Sequence, residues 1–191
     1  FCMGRLDLLD ESLLDLLARA GCQRFLVGLE RPPGHSRWTN KARDEQRVSR
    51  LLTHARRRGI FVHAGMIIGV PDETVDTLRA TADFVSRVEA DYLSLTLFTP
   101  FVGTRVHAHL TDAGVQLHDH DDAFAYDRPA FRHATLSEPE LLAWRQRIYR
   151  AFYLGPRYLA RAASLALRRP KIGIDFARLL VRGVTGGLLD G

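Results

Sequence analysis

The chain has 191 residues, 46% hydrophobic and 26% charged, with a net charge of +5; this suits one globular domain with a sizeable core and a small appendage. No run of about 18 uncharged apolar residues occurs, which argues against a spanning helix. Two cysteines, Cys2 and Cys22, exclude a disulfide framework and a structural zinc site.

The chain opens at Phe1 inside an apolar, strand-like run, and it is expected to be a fragment of a longer protein. No secretory signal is visible and cysteines are few, which predicts a cytoplasmic protein. Only two of the 27 basic residues are lysine. That bias fits a GC-rich genome or a basic surface for phosphates, lipids or nucleic acid.

Phe1 to Arg5 reads as the end of a strand. Leu13, Leu14, Leu16 and Leu17 mark one face of a helix from Asp10 to Ala20, capped by Asp10 or Ser12 and stopped at Gly21. Phe25 to Leu29 is a short buried strand. Pro32, Pro33 and Gly34 place residues 31–40 in a loop. A basic amphipathic helix runs from about Arg43 to Arg58. Ile60 to Val70 is nearly all apolar, as a parallel strand covered by helices should be. A helix from about Glu73 to Val88, capped by Thr74 or Asp72, and a strand from Tyr92 to Phe98 follow. Thr104 to Ala113 reads as a short helix and His118 to Arg132 as a polar loop. Ser137 and Glu140 have capping-box spacing, and helices are expected over about 139–154, 156–167 and from Asp175 onward.

Alternating strands and helices with short links predict an α/β fold with a parallel sheet or barrel. In such folds ligands bind at the carboxyl ends of strands. Those ends read Arg5-Leu6-Asp7, Gly28-Leu29-Glu30, Ile67-Ile68-Gly69-Val70-Pro71-Asp72-Glu73 and Phe98-Thr99-Pro100-Phe101-Val102-Gly103-Thr104. Each carries a polar or charged group, or a Gly or Pro that lets backbone approach a ligand. Taken singly, each is also an ordinary turn, cap or packing residue.

Together with Ala20-Gly21-Cys22 and Gly65-Met66-Ile67-Ile68-Gly69, these motifs resemble the radical S-adenosylmethionine (SAM) superfamily over residues 1–110. Residues 137–156 resemble the helical tail of its cobalamin-binding group. The resemblance implies the C-terminal half of a partial (β/α)6 TIM-like barrel over 1–110, a linker over 111–136 and a helical extension over 137–191. It implies SAM contacts at Arg5, Gly28, Glu30, Gly65, Ile67, Gly69, Thr99 and Pro100. Glu30 would accept both ribose hydroxyls, and Arg5 would meet a carboxylate. The acidic residue after the glycine stretch is Asp72 or Glu73. Arg31 stands where the family often has Ser.

The resemblance further implies an enzyme that cleaves SAM to a 5′-deoxyadenosyl radical with a 4Fe-4S cluster. Cobalamin would be a further cofactor and ferredoxin or flavodoxin the reductant, in a methyltransferase or cyclase acting on a hydrophobic substrate. Cluster ligation needs three cysteines as C-x-x-x-C-x-x-C; Cys2 and Cys22 cannot supply it, so the ligands are expected upstream, in the missing N-terminal half. No metal ligands and no catalytic residue are assigned within this chain. The alternatives are an inactive fragment or scaffold and a non-radical barrel lyase. A lyase would show a strand-end lysine, whereas Lys41 and Lys171 lie in loops.

His118 and His120 beside Asp119, Asp121 and Asp122, and the pair His107 and His109, lack the spacing of a metal site. His63 faces either a ligand or the core. The arginine-rich tail from Arg157 to Arg182, with a single acid at Asp175, fits an anionic membrane surface or, preferably, helices packed on the barrel. No nucleic-acid partner is expected.

Overall fold

The structure is a computed structural model that describes residues 1–35, 44–117 and 128–168. Four parallel strands form one sheet in sequential order: β1 (Cys2–Arg5), β2 (Arg24–Glu30), β3 (Phe61–Ile68) and β4 (Tyr92–Leu97). Between them run α1 (Glu11–Arg19), α2 (Glu45–Arg57) and α3 (Val75–Arg87); α4 (Arg105–Asp112), α5 (Glu138–Tyr153) and α6 (Pro156–Arg168) follow β4. The expected parallel α/β architecture is present. The residues from 169 onward, including Lys171 and the helix expected from Asp175, lie outside the described residues, as do Lys41, His118, Asp119, His120, Asp121 and Asp122.

The strands alternate strictly in burial. Val27, Leu29, Val62, Ala64, Met66, Ile68, Leu93 and Leu95 are buried against the helices. Their neighbours in sequence point to the opposite, more open face. Helix faces supply the other half of the core through Leu14, Val48, Leu51, Leu78, Phe84, Ile148 and Phe152. α5 and α6 join this same core.

Local chemistry sets the element ends. Asp10 caps α1 by accepting from the Leu13 N–H at 2.8 Å, and Ser12 donates to that carboxylate. Thr74 caps α3 and forms a reciprocal box with Thr77. The Glu140 carboxylate accepts from the Ser137 N–H and hydroxyl at the start of α5. The expected leucine stripe on α1 is narrower than the sequence pattern: Leu14 is buried and Leu17 packs on the core, while Leu13 and Leu16 are exposed. β3 stops at Ile68 because Gly69 turns to φ +75°. A single 3-10 turn, Leu6–Leu8, follows β1 and was not expected from the sequence.

One edge of the sheet is closed by side chains. The Tyr153 hydroxyl accepts from the Leu93 N–H and donates to the Leu93 carbonyl, both at 3.1 Å. Tyr149 does the same at Leu95, accepting at 3.0 Å and donating at 3.4 Å. Two phenols one helical turn apart thus stand where a fifth strand would hydrogen-bond to β4. Among the described residues, no helix is long and apolar enough to cross a membrane.

Removing either hydroxyl leaves a buried N–H of β4 without its partner. Tyr149→Phe and Tyr153→Phe are each expected to destabilise the chain by about 1–3 kcal/mol, read by urea denaturation.

Candidate functional site

Strand register builds the open face row by row. Arg5 pairs with Gly28, Gly28 with Gly65, and Gly65 with Ser94. One row across all four strands therefore reads Arg, Gly, Gly, Ser. The two central positions have no side chain, so backbone forms the floor of a shallow trough.

The fold does not require glycine at either central position. Neither Gly28 nor Gly65 has a positive φ. A Cβ on Gly28 would meet only the Glu30 side chain, at 3.8 Å, and a Cβ on Gly65 would approach nothing closer than Ser94 Oγ, at 3.7 Å. Both are ordinary contacts. Gly4 and Gly69 differ: a Cβ on Gly4 would strike the Phe25 ring at 2.9 Å, and Gly69 sits at φ +75°. Glycine inside a strand weakens it and commonly marks close approach of a ligand or another backbone. Gly28 and Gly65 fit that description.

The charged end of the trough lies at β1 and β2. Glu30 adopts φ +61°, a left-handed conformation unusual for a side-chain-bearing residue, at an irregularity in the β2–β3 register. This turn sets its carboxylate beside Gly28. Arg5 is exposed and forks onto Asp7 at 2.7 and 3.0 Å. Hydrogen bonds and charge from Asp7, with a smaller contribution from Glu30, hold its guanidinium pKa above the usual arginine value.

Not all the expected contacts gather here. Arg5, Gly28, Glu30 and Gly65 do, and Ile67 lies one pleat along on the same face. Thr99 and Pro100 follow the end of β4; Thr99 donates to the Leu97 carbonyl at 3.4 Å, and Pro100 is buried. Gly69 faces Leu97 and Leu141 on the helix side, and its N–H is donated to Glu73 at 2.9 Å. Its role in this chain is to make the turn.

That turn is held by an ion pair that the sequence did not announce. Arg31 is 2% exposed and Glu73 fully buried. The guanidinium forks onto both carboxylate oxygens, Nη2 to Oε1 at 2.6 Å and Nη1 to Oε2. Glu73 also accepts from the Thr77 hydroxyl and the Gly69 N–H, and Arg31 reaches the Ile67 and His35 carbonyls. Of Asp72 and Glu73, it is Glu73 that turns inward. A strap over residues 128–136 completes the support. His133 donates from Nε2 to the Val70 carbonyl, and the Thr135 hydroxyl donates to the Glu73 carbonyl, each at 2.7 Å. A depression of about 510 Å³ lies beside this strap, lined by Gln116, Phe131, His133 and Leu141 rather than by the open face.

His63 resolves toward the open face. Its Nε2 lies 2.9 Å from Ser94 Oγ, and its ring meets Tyr92 edge-on at 4.6 Å. Desolvation, with a smaller push from Arg24, lowers its pKa to about 4. Ser94, at the neutral end of the trough, was missed; only the strand register places it beside Gly65. Among the described residues, no group of three or more His, Cys, Asp or Glu is placed to hold a metal ion.

Residues 2–85 match the family model of the radical SAM superfamily. Over this stretch, from β1 into α3, the chain is similar to that superfamily. An uncharacterized methyltransferase of Pyrococcus horikoshii is 23% identical over 159 residues, covering 83% of this chain and 35% of that protein. The cytidylyl-2-hydroxyethylphosphonate methyltransferase of Streptomyces wedmorensis is 31% identical over 110 residues, covering 51% of this chain and 20% of its own length. The chain thus spans little more than a third of these curated relatives at most. A solved structure of the radical S-adenosylmethionine methyltransferase TsrM from Kitasatospora setae, with cobalamin and a 4Fe-4S cluster bound, matches with a TM-score of 0.53. It is 22% identical, with 78% of this chain and 29% of that one covered. This likeness bears on the fold alone, a parallel sheet flanked by helices.

Two outcomes test the site's supports. Glu73→Gln removes one partner of a buried pair and is expected to cost about 3–5 kcal/mol of stability, whereas Asp76→Asn, which breaks the exposed Asp76–Arg79 pair, should cost less than about 0.5 kcal/mol; urea titrations compare them. His63 has a pKa of about 4 in the folded chain against 6.5 for an ordinary histidine. Between these values the unfolded chain binds the extra proton, so stability rises with pH through this window and levels off above it. A His63→Gln variant should lose that part of the slope, measured as unfolding free energy from pH 4 to 7.

Proposed function

We propose that this chain supplies the adenosine-binding wall of the SAM site in a radical SAM enzyme. The observation that carries the reading is the pair Gly28 and Gly65, side by side in a row where the fold tolerates a side chain and none is present. A planar ligand laid on that floor gains backbone contact that a Cβ would block. Glu30, turned over the row by its left-handed backbone, is then the acceptor for a ribose diol, since an ionised carboxylate accepts two hydrogen bonds at once. Ile67 offers an apolar surface on the same face. Arg5, at the outer end, is the cation for the carboxylate of SAM or of a polar substrate. Thr99 and Pro100 border the site from the end of β4.

The residues present do not fit an iron-sulfur cluster. Two cysteines whose sulfurs touch each other supply neither the number nor the spacing of ligands that a 4Fe-4S cluster needs. The cluster, which in radical SAM enzymes reduces SAM to release a 5′-deoxyadenosyl radical, belongs in this reading to another part of the polypeptide. This chain positions SAM and shields it from water. The methyltransferase names of two relatives favour methyl transfer for the whole enzyme, with cobalamin as a further cofactor, a hydrophobic substrate, and a ferredoxin or flavodoxin as reductant. The chain alone is then inactive, its partner being the remaining half of the same protein. The basic tail is the part of the chain suited to a membrane surface.

In the full-length enzyme, Glu30→Gln and Gly65→Val are each expected to weaken binding of SAM about 10- to 100-fold, with far-UV circular dichroism and urea midpoint close to wild type. Isothermal titration checks the affinity. Wild-type affinity in both variants would remove the row from the SAM site.

A further inference from the structure

The two cysteines lie away from the row that the proposed function uses. Cys2 opens β1 and pairs in register with Phe25, on the helix-facing side of the sheet. Cys22 closes the turn from α1 into β2. They are 20 positions apart in sequence, yet their sulfurs are 3.1 Å apart. Both are free thiols and partly exposed. Cys22 donates its hydrogen to the Arg24 carbonyl at 3.3 Å, which leaves Cys2 to donate to the Cys22 sulfur. Burial and this hydrogen bond hold the Cys2 thiol up to about 11, so it keeps its proton at neutral pH.

We propose that Cys2 and Cys22 are a dithiol that closes to an intramolecular disulfide by exchange with a small-molecule disulfide. The Cys22 thiolate attacks one sulfur of the reagent, breaks its S–S bond and releases one reagent thiolate. Cys2 then loses its proton to solvent and attacks the Cys22 sulfur of the mixed disulfide, releasing the second reagent thiolate. The two protein thiols lose two electrons and two protons, and the reagent disulfide is reduced to two thiols. Cys2 is the resolving thiol because its proton is held until the second step. The contact already present makes that step intramolecular, which favours the closed bridge over a persistent mixed disulfide. Oxidation staples the start of β1 to the turn that launches β2. It cross-links residues on either side of α1 at the end of β1 opposite Arg5, and so constrains the unfolded chain.

The test uses this chain as it stands, fully reduced and then incubated with oxidised glutathione at pH 8. The expected product is a monomer lighter by two hydrogens, with no thiol left to titrate and a proteolytic peptide joining Cys2 to Cys22. Its Tm should exceed that of the reduced chain and return on adding dithiothreitol. Cys2→Ser should stop at a glutathione adduct on Cys22. In urea the wild-type product should shift toward glutathione adducts, because the fold supplies the proximity. Two stable adducts per folded wild-type chain, two unreacted thiols, or bridging only between chains would each overturn the proposal. None of these outcomes bears on the SAM site, whose test is ligand affinity.

Discussion

The buried pair between Arg31 and Glu73 is the interaction on which the candidate site depends. It joins the first residue after β2 to the loop that ends β3, and so fixes the relative position of the two strands that carry Glu30 and Gly65. An isolated buried charge costs several kcal/mol, so such a pair persists only when geometry and hydrogen bonding are nearly complete. Here the carboxylate accepts from a guanidinium fork, a hydroxyl and a backbone N–H. The same loop is gripped from outside by His133 and Thr135. Two segments distant in sequence, at Arg31 and at His133 to Thr135, therefore converge with nearby Thr77 on the five residues 69–73. The strained Glu30 sits directly before Arg31 in the chain, and its left-handed backbone is held next to this anchored point.

Closure and openness divide the sheet in a way that suits the proposed role. Helices cover one face, and the phenols of Tyr149 and Tyr153 bond to the outer edge of β4 at Leu93 and Leu95. What stays accessible is the opposite face, with its glycine row, and the edge at β1, where Met3 is 70% exposed. A Val or Leu in place of Gly28 or Gly65 would lay apolar surface over the floor and fill the trough. In the proposed role the glycines give up strand stability to keep backbone within reach of SAM.

Much of the fold was legible because β2, β3 and β4 are short, largely apolar runs bounded by turn residues and because caps such as Asp10, Thr74 and Ser137 precede their helices. Arg5, Gly28, Glu30 and Gly65 were named from motif order, and the strand register sets them on one face. Three things were not. The pairing of Arg31 with Glu73 spans 42 positions, and neither residue differs in type from a surface charge. Ser94 belongs to the row only through register across β3 and β4, which no local pattern encodes. Gly69 looked like a ligand-facing glycine, but its positive φ and buried N–H assign it to the turn. In each case the missing information was a tertiary contact, while the element readings rested on apolar runs, turn residues and cap chemistry.

The central claim is that SAM lies on the glycine row of the open face. Photo-crosslinking of the full-length enzyme with an azido-adenine analogue of SAM, followed by peptide mapping, tests it most directly. The account predicts label on the peptides that carry Gly28 to Glu30 and Gly65 to Ile67, suppressed by excess SAM. Competable label on the strap over residues 128–136, beside the 510 Å³ depression, with none on β2 or β3, would contradict it.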